Sequence, residues 1–298
     1  MNIFQRNAKK FVIVATISGA SSVIFIRLIE TGPIAMGFYR LGFAMLMFLV
    51  PILLGGYKGF KGLAGKDYLF CFASGLLLFF HFVCWFTGVK NTAIASASVL
   101  MALHPLVILF VTTVFMKQKV NIKATIGILV ALTGGAIIAG LDYTFAEDHV
   151  FGDAAAFMSG VLFGCYFLMG RKMRVKLPAI NYVFLVFGSC WVCFAAAMFI
   201  TKTPFTGYQP QDFFWMFIMA VVNQVIAHTL YNWCIGYAPP LYVSVWVSVD
   251  TVFSVAFGAL VFQEFPTAWQ YIGGVIAISG LVYYNYNEEK TKEAKLGG

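Results

Sequence analysis

The stretch 241–262 limits what this chain can fold into more than any other part of it. It has 22 residues of almost unbroken apolar sequence, and a helix of this length, at about 1.5 Å per residue, spans the hydrocarbon core of a bilayer, about 30 Å thick. One acid, Asp250, lies near its middle. A carboxylate at that depth costs about 2.5–3.5 kcal/mol on insertion scales, so we expect it to face a cavity or a partner rather than lipid.

The rest of the chain repeats this apolar pattern. Of its 298 residues, 61% are hydrophobic and 11% charged, against about 45–50% and about 25% in soluble domains, so an all-α integral membrane protein is predicted. Spanning length and breaks at charged residues, Pro and Gly give ten helices. Their predicted limits are 10–29, 33–55, 67–88, 92–116, 121–141, 151–171, 180–200, 212–236, 241–262 and 268–286.

The basic residues predict the orientation of these helices. Sixteen lie in segments on one side of the membrane and two, Lys90 and Lys202, on the other, and such a bias is typical of cytoplasmic segments. Both termini are therefore predicted to be cytoplasmic, in the cell (inner) membrane. The net charge of +8 is explained by this distribution, and no nucleic-acid partner is indicated. The outer loop 142–150 is acidic (Asp142, Glu147, Asp148), which agrees.

An internal repeat divides the chain into 1–145 and 146–298. An offset of 146 residues pairs the glycine-bounded run 127–134 with 273–280 and, without a gap, pairs His104 with Asp250. Shorter matches follow in the same order: 18–19 with 159–160, and 85–88 with 233–236. Each half contains five helices, an odd number, so the second half enters the membrane from the opposite side. In transporters built in this way the binding site lies near the midplane, between the repeats.

These motifs resemble the EamA type of the drug/metabolite transporter superfamily. They are 33–41 with Tyr39-Arg40-Leu41, SASVLMALHP at 96–105, both glycine-bounded runs, and 262–264. The resemblance implies an alternating-access transporter of metabolites such as amino acids, nucleosides, polyamines or quaternary amines, often exported and proton-linked. Two departures are Gln118, where the family has Glu, and Thr251, where it has Pro.

Helix 9 carries aromatic side chains on the same face as its acid. Tyr242, Trp246 and Asp250 follow each other at four-residue spacing. Such a face suits a cationic amine, through cation–π contact and charge pairing. Ordinary packing is the alternative for both aromatics, and for Tyr242, near the membrane boundary, it is the interpretation that we favour.

Helix 8 has the densest polar set in the chain. Gln224, His228 and Asn232 share a face at four-residue spacing, with Asn223 and Tyr231 between them. Amides can simply join helices, at about 0.6–2 kcal/mol each. Five polar groups within ten residues exceed that need, so we expect this face to line a wet cavity.

Helices 2 to 4 supply the remaining candidates. His81 lies one turn before Trp85, and His104 precedes Pro105, which leaves the Met101 carbonyl without its donor and predicts a kink. Arg40 is too deep in helix 2 for easy snorkelling and could bind a substrate carboxylate, a helix carbonyl or Asp250. The candidate substrate-binding residues are Tyr39, Arg40, His81, Trp85, His104, Gln224, His228, Asn232, Trp246 and Asp250.

The function that these features predict is secondary-active export of small polar metabolites, with amino acids or related amines first and cationic compounds such as polyamines second. Asp250, His104 and His228 are the candidates for proton coupling. Since His104 and Asp250 are repeat counterparts, they could pair as a gate or stand apart and address the substrate. No cofactor or metal site is expected, and the transporter is expected to act as a monomer or homodimer.

A remote alternative is an intramembrane enzyme that uses Ser21, Ser22 or Ser98 with a histidine, although no spacing in the sequence ties a serine to a base.

Overall fold

The computed structural model describes residues 3–117, 122–145 and 149–296, and within these ranges the chain is helical, without strands. The helices group into α1 (Ile3–Ala20 and Ser22–Leu28), α2 (Pro33–Leu53), α3 (Gly65–Asn91), α4 (Ile94–Met101 and His104–Val114), α5 (Ile122–Phe145), α6 (His149–Arg174), α7 (Ala179–Ile200), α8 (Pro210–Cys234), α9 (Pro240–Ser248 and Asp250–Phe262) and α10 (Ala268–Leu296). Gln118, Glu147 and Asp148 lie outside the described residues.

The predicted ten-helix membrane fold is confirmed. Eight of the helical units in the described ranges are long and apolar enough to cross a membrane, namely α1 to α4 and α6 to α9. A shorter apolar stretch, Thr125–Gly135, lies in α5. Within the described ranges, three of these candidate spans are interrupted, α1 at Ser21, α4 at Ala102–Leu103 and α9 at Val249.

The glycine-bounded runs bring α5 and α10 into backbone contact. A Cβ on Gly127 would lie 2.7 Å from the Gly280 carbonyl oxygen, and one on Gly134 would overlap the Gly273 carbonyl. Small residues permit such close approach between membrane helices. Gly127 and Gly273 are repeat counterparts, as are Gly134 and Gly280, so the two contacts are related by exchange of the repeats. This reciprocity is what a pseudo-two-fold axis between α5 and α10 requires.

The breaks in α4 and α9 occur at equivalent places in the two repeats. Ser248 Oγ donates to the Ala102 carbonyl over 2.9 Å, and these two residues are themselves counterparts at the offset of 146. The break predicted from Pro105 is present. Pro105 leaves the Met101 carbonyl without its helical donor, and His104 Nδ1 lies 3.0 Å from that carbonyl. Hydrogen bonds of this kind allow a helix to be interrupted inside a membrane.

A polar network closes one end of the bundle. Arg27 Nη2 donates to the Thr92 carbonyl at 2.8 Å and lies 3.4 Å from Glu264 Oε2, while Glu264 Oε1 accepts from the Ile94 backbone N–H at 2.5 Å. Lys90 Nζ donates to carbonyls after the end of α1. The network joins α1, α3, α4 and the α9–α10 connection. The other end carries loops 54–64, 175–178 and 235–239 and is called the basic side below.

Candidate functional site

A cavity of about 40 Å³ lies between the repeats, with room for about three water molecules. Its lining residues are Gly19, Ser22, Arg40, His81, Phe82, Trp85, Met101, Phe163, Asn223, His228, Tyr231, Val247 and Asp250. Met101 and Val247 are counterparts at the offset of 146, and Ser22 and Phe163 at the offset of 141 that relates α1 to α6. The cavity therefore lies on the pseudo-two-fold axis, where a site between inverted repeats is expected.

Arg40 is a buried basic residue in this cavity, and no acidic side chain in the described part of the chain forms an ion pair with it. Its side chain is 1% exposed, and Nε and Nη2 have no hydrogen-bond partner among the described residues. The guanidinium lies 4.3 Å from the centre of the Phe82 ring and 5.7 Å from that of Phe86. Cation–π contact at a desolvated site is worth about 2 kcal/mol, which offsets only part of the cost of burying the charge. The unused donors favour an anionic ligand.

Asp250 begins the second half of α9 and reaches the cavity from the opposite repeat. Ser254 Oγ donates to its Oδ1 over 2.7 Å. Its Oδ2 and the Tyr231 hydroxyl both lie close to Gly19, within 3.2 Å and 2.6 Å of where a Cβ would stand. No ion pair joins Asp250 to Arg40 in the described part of the chain. The cavity thus presents one acidic and one basic side chain that form no direct ion pair within the described residues.

Two histidines and a tryptophan complete the polar wall. His81 Nδ1 lies 2.9 Å from the Ser159 carbonyl, and the centre of its ring is 6.5 Å from that of His228. Trp85 Nε1 donates to Ser22 Oγ over 3.4 Å. All three predicted side chains, His81, Trp85 and His228, line the cavity together with Arg40 and Asp250. Their part in substrate binding stays a prediction.

Helix α8 reaches the cavity through a π-helical segment, Ala220–His228. A π-helix bonds residue i to i+5, so it brings Asn223 and His228 onto one face in place of the predicted pair, Gln224 and His228. Asn223 Nδ2 donates to the Ser18 carbonyl at 2.5 Å and to Ser21 Oγ at 3.2 Å, beside the break in α1. Gln224 is fully buried but does not line the cavity.

The structure places four other predicted site residues outside the cavity lining. The Tyr39 hydroxyl donates to the Phe205 carbonyl. Asn232 Oδ1 accepts from the Tyr166 hydroxyl at 2.8 Å, and its Nδ2 donates to the His228 carbonyl at 2.6 Å. Trp246 is next to the lining residue Val247 but does not line the cavity itself, and α9 is broken at Val249, between Trp246 and Asp250. His104, the fourth, is fully buried.

His104 and Asp250 do not form the direct pair that the repeat made conceivable. His104 Nδ1 faces the Met101 carbonyl, Asp250 accepts from Ser254, and no hydrogen bond or ion pair joins the two residues within the described ranges. The two counterparts therefore stand apart. Nor do the described residues contain a group of three or more His, Cys, Asp or Glu side chains that could hold a metal.

Sequence reasoning missed several lining residues, and the repeat held a signal for some of them. Gly19 and Ser22 lie on either side of the break in α1 at Ser21, and Phe163 is the counterpart of Ser22. Met101 and Val247 are counterparts one turn from His104 and Asp250. Apolar residues that lie on the pseudo-two-fold axis can be found only by aligning the two repeats, because within its own helix each of these side chains is indistinguishable from an ordinary packing residue.

We expect Gly19→Ala to disable this site. The added methyl would lie 2.6 Å from the Tyr231 hydroxyl and 3.2 Å from Asp250 Oδ2, and overpacking of this kind costs about 1–3 kcal/mol. The expected result is a lower melting temperature and at least about tenfold slower flux, since about 1.4 kcal/mol is a factor of ten. Gly32→Ala is the control, because no atom lies within 4 Å of its Cβ position. Equal behaviour of the two variants would contradict the close approach at Gly19.

An inverted-repeat helical bundle with a polar cavity on its axis defines a multi-pass membrane protein of the transporter class. Residues 9–140 and 150–286 each match the EamA-like transporter family. The chain belongs to this family. This membership places it among membrane transporters of the drug/metabolite type.

Relatives agree with this class. The chain is 27% identical over 153 residues to an uncharacterized transporter of Archaeoglobus fulgidus, covering 50% of the chain and 51% of the relative, or about half of each. It is 20% identical over 229 residues to the uncharacterized transporter YxxF of Bacillus subtilis, covering 76% and 72%. One crystal structure superposes with a TM-score of 0.70 at 16% identity, covering 95% of this chain and 98% of that one, which supports the fold alone.

Proposed function

We propose that the protein exports small zwitterionic metabolites, amino acids first, by secondary-active alternating access. The observation that carries the proposal is that a basic and an acidic side chain line one cavity without a direct ion pair among the described residues, Arg40 from the first repeat and Asp250 from the second. A carboxylate would accept from the Arg40 guanidinium, and an ammonium group would donate to Asp250. The indole of Trp85 supplies an apolar wall for the side chain of the solute.

The same charges argue against the cationic alternative. A polyamine or quaternary amine would bring positive charge to a buried cavity that already holds Arg40, 1% exposed. Like charges at short range in a low-dielectric site repel by several kcal/mol. Asp250 alone cannot offset both the added cation and Arg40, so we rank a purely cationic substrate second.

Proton coupling is part of the proposal. Asp250, His81 and His228 are titratable groups on one cavity wall, and in transporters such groups carry protons between the two sides. His104, outside the lining, is the candidate that the geometry favours least. We further propose that the protein lies in the cell membrane with both termini in the cytoplasm, as a monomer or homodimer.

A matched set of ligands tests the substrate class. Purified protein would be melted with an amino acid, the amine left by its decarboxylation, and the acid left by removal of its amino group. A ligand that binds only the folded state raises the melting temperature by mass action. The expected result is a shift with the amino acid that exceeds the shift with either truncated compound. A shift with the amine and with polyamines, but not with the amino acid, would establish the cationic alternative instead.

Flux measurements test the coupling. Proteoliposomes would be loaded with a radiolabelled form of the amino acid that shifts the melting temperature, and its movement followed with and without a pH gradient. The expected result is movement against the solute gradient that stops when a protonophore removes the pH difference. If the solute only equilibrates across the membrane, the mechanism is facilitated diffusion and not proton coupling.

A further inference from the structure

A second space in the protein opens at the basic side. It is a groove of about 650 Å³ between the starts of α3 and α9 and the ends of α4 and α6, and it is called the basic groove below. Ile108 of α4, Arg171 of α6 and Leu241 of α9 line it. Its lining carries two cations, Arg171 and Lys172, and no acid within the described residues.

The basic groove and the central cavity lie on the same faces of three helices, two turns apart. On α6, Phe163 lines the cavity and Arg171 the groove, with Phe167 halfway between them on the same face. On α4, His104 separates Met101 of the cavity from Ile108 of the groove. Residues three or four apart are neighbours on one helix face, so a single layer of side chains separates the two spaces on each helix.

The third helix completes this layer. On α9, Ser244 lies between Val247 of the cavity and Leu241 of the groove. His104, Phe167 and Ser244 are each fully buried. The segments that carry them, His104–Val114, α6 and Pro240–Ser248, pack against one another. The Phe167 ring lies in this layer, with its centre 4.3 Å from that of Phe163 and 6.3 Å from that of His104.

The opposite side of the cavity is closed by more than one layer. The repeat counterparts of Phe167 and Ser244 are Ile26 and Ser98. Both are buried, and Thr251 Oγ1 donates to the Ser98 carbonyl over 3.2 Å. Beyond them lies the polar network around Arg27 and Glu264. One layer closes the cavity toward the basic groove, and two close it toward the other side.

We propose that the basic groove is the vestibule from which the solute reaches the cavity, and that Phe167, with His104 and Ser244, is the gate between them. This proposal depends on the proposed function in one respect: it assumes that the protein is a transporter whose solute follows this route. Arg171 and Lys172 offer charge to a carboxylate, so the vestibule admits the zwitterionic class and disfavours a purely cationic solute. Opening requires the Phe167 ring to swing aside while the opposite network stays closed.

Cysteine accessibility tests the gate without any substrate. The six native cysteines are free thiols and would be replaced, and Val247→Cys would place a single thiol in the cavity wall. A membrane-impermeant thiol reagent is then added to vesicles from each side in turn. Lys61→Cys and Lys202→Cys, on exposed loops at opposite ends, identify which compartment each side faces.

Phe167→Ala is expected to raise the labelling rate of the Val247→Cys thiol at least tenfold from the basic side and to leave the opposite side unchanged. Its counterpart Ile26→Ala is the matched control, and we expect it to change neither rate, because the Arg27 network still closes that end. Should Phe167→Ala not yield monodisperse protein, Phe167→Leu is expected to give a smaller increase of the same sidedness.

A rate within twofold of the parent for the folded variant, or a gain from the opposite side, would overturn the proposed gate. The labelling experiment involves no solute, so its result would remain valid even if amino acids proved not to be the substrate. Conversely, normal amino-acid flux combined with an unchanged labelling rate would remove the gate and leave the proposed function intact.

Discussion

Asp250→Asn is expected to abolish proton-driven transport while leaving the protein folded. The amide keeps the shape of the side chain and can still accept from Ser254 Oγ, which lies 2.7 Å from Oδ1 in the native protein. What it loses is the charge that would bind an ammonium group and the site that would carry a proton. A hydrogen bond to a charged group contributes about 1.5–3 kcal/mol, so binding is expected to weaken about 10- to 150-fold.

The measurement pairs ligand-induced melting shifts with flux in proteoliposomes, and Asp212→Asn is the matched control. Asp212 is also a buried carboxylate, but it accepts from the Glu30 backbone N–H at 2.9 Å near the polar network, away from the cavity. We expect the control to retain binding and flux. Unchanged flux in monodisperse Asp250→Asn protein would rule out a role for this acid in transport.

The architecture could be read from the sequence because its determinants repeat. A Cβ on Gly127, Gly134 or Gly280 would lie within 2.7 Å of the backbone of the facing helix, and the carbonyl that Gly134 approaches belongs to Gly273, so both halves carry the packing requirement. Pro105 predicts the break in α4, because a proline cannot donate to the preceding turn. Each of these constraints acts through the backbone, which leaves few alternatives.

The composition of the cavity wall was predicted less well, and α8 explains why. A period of 3.6 residues groups Gln224 with His228, whereas the π-helical segment brings Asn223 to the cavity. Asn223 bonds to α1 carbonyls beside the break at Ser21. The wider turn is thus coupled to a tertiary contact between helices far apart in sequence, which no local periodicity contains.

The surroundings of Asp250 could not be predicted for the same reason, because they depend on contacts between helices far apart in sequence. Its depth in the membrane follows from its place in an apolar segment, but its neighbours do not. Gly19 and Tyr231 come from α1 and α8, and Trp246, one turn before the acid, does not line the cavity. Depth is a property of one helix, whereas the set of side chains around one cavity depends on how seven helices are rotated.

Arg40→Met is expected to abolish binding of carboxylate-bearing solutes without lowering the stability of the ligand-free protein. Nε and Nη2 of Arg40 have no partner among the described residues, and its described contacts are with the Phe82 and Phe86 rings. Replacing a buried charge by an apolar side chain of similar volume is often neutral or stabilising by about 1–4 kcal/mol. A cation kept buried at such a cost is best explained by a ligand that uses it.

Arg174→Met is the matched control for this substitution, because it removes a buried arginine whose donors are used. Arg174 Nε donates to the Asn232 carbonyl at 2.9 Å, and Nη1 donates to the Leu177 carbonyl. Its loss leaves buried carbonyls without donors, so we expect a cost of about 1–3 kcal/mol and a lower melting temperature, with the ligand-induced shift preserved. We therefore expect Arg40→Met to lose ligand binding and keep its stability, and Arg174→Met to lose stability and keep ligand binding. If Arg40→Met instead lowers the melting temperature of the ligand-free protein and keeps the full amino-acid-induced shift, Arg40 has a structural role. The proposed site would then have no group that binds the carboxylate of a zwitterion.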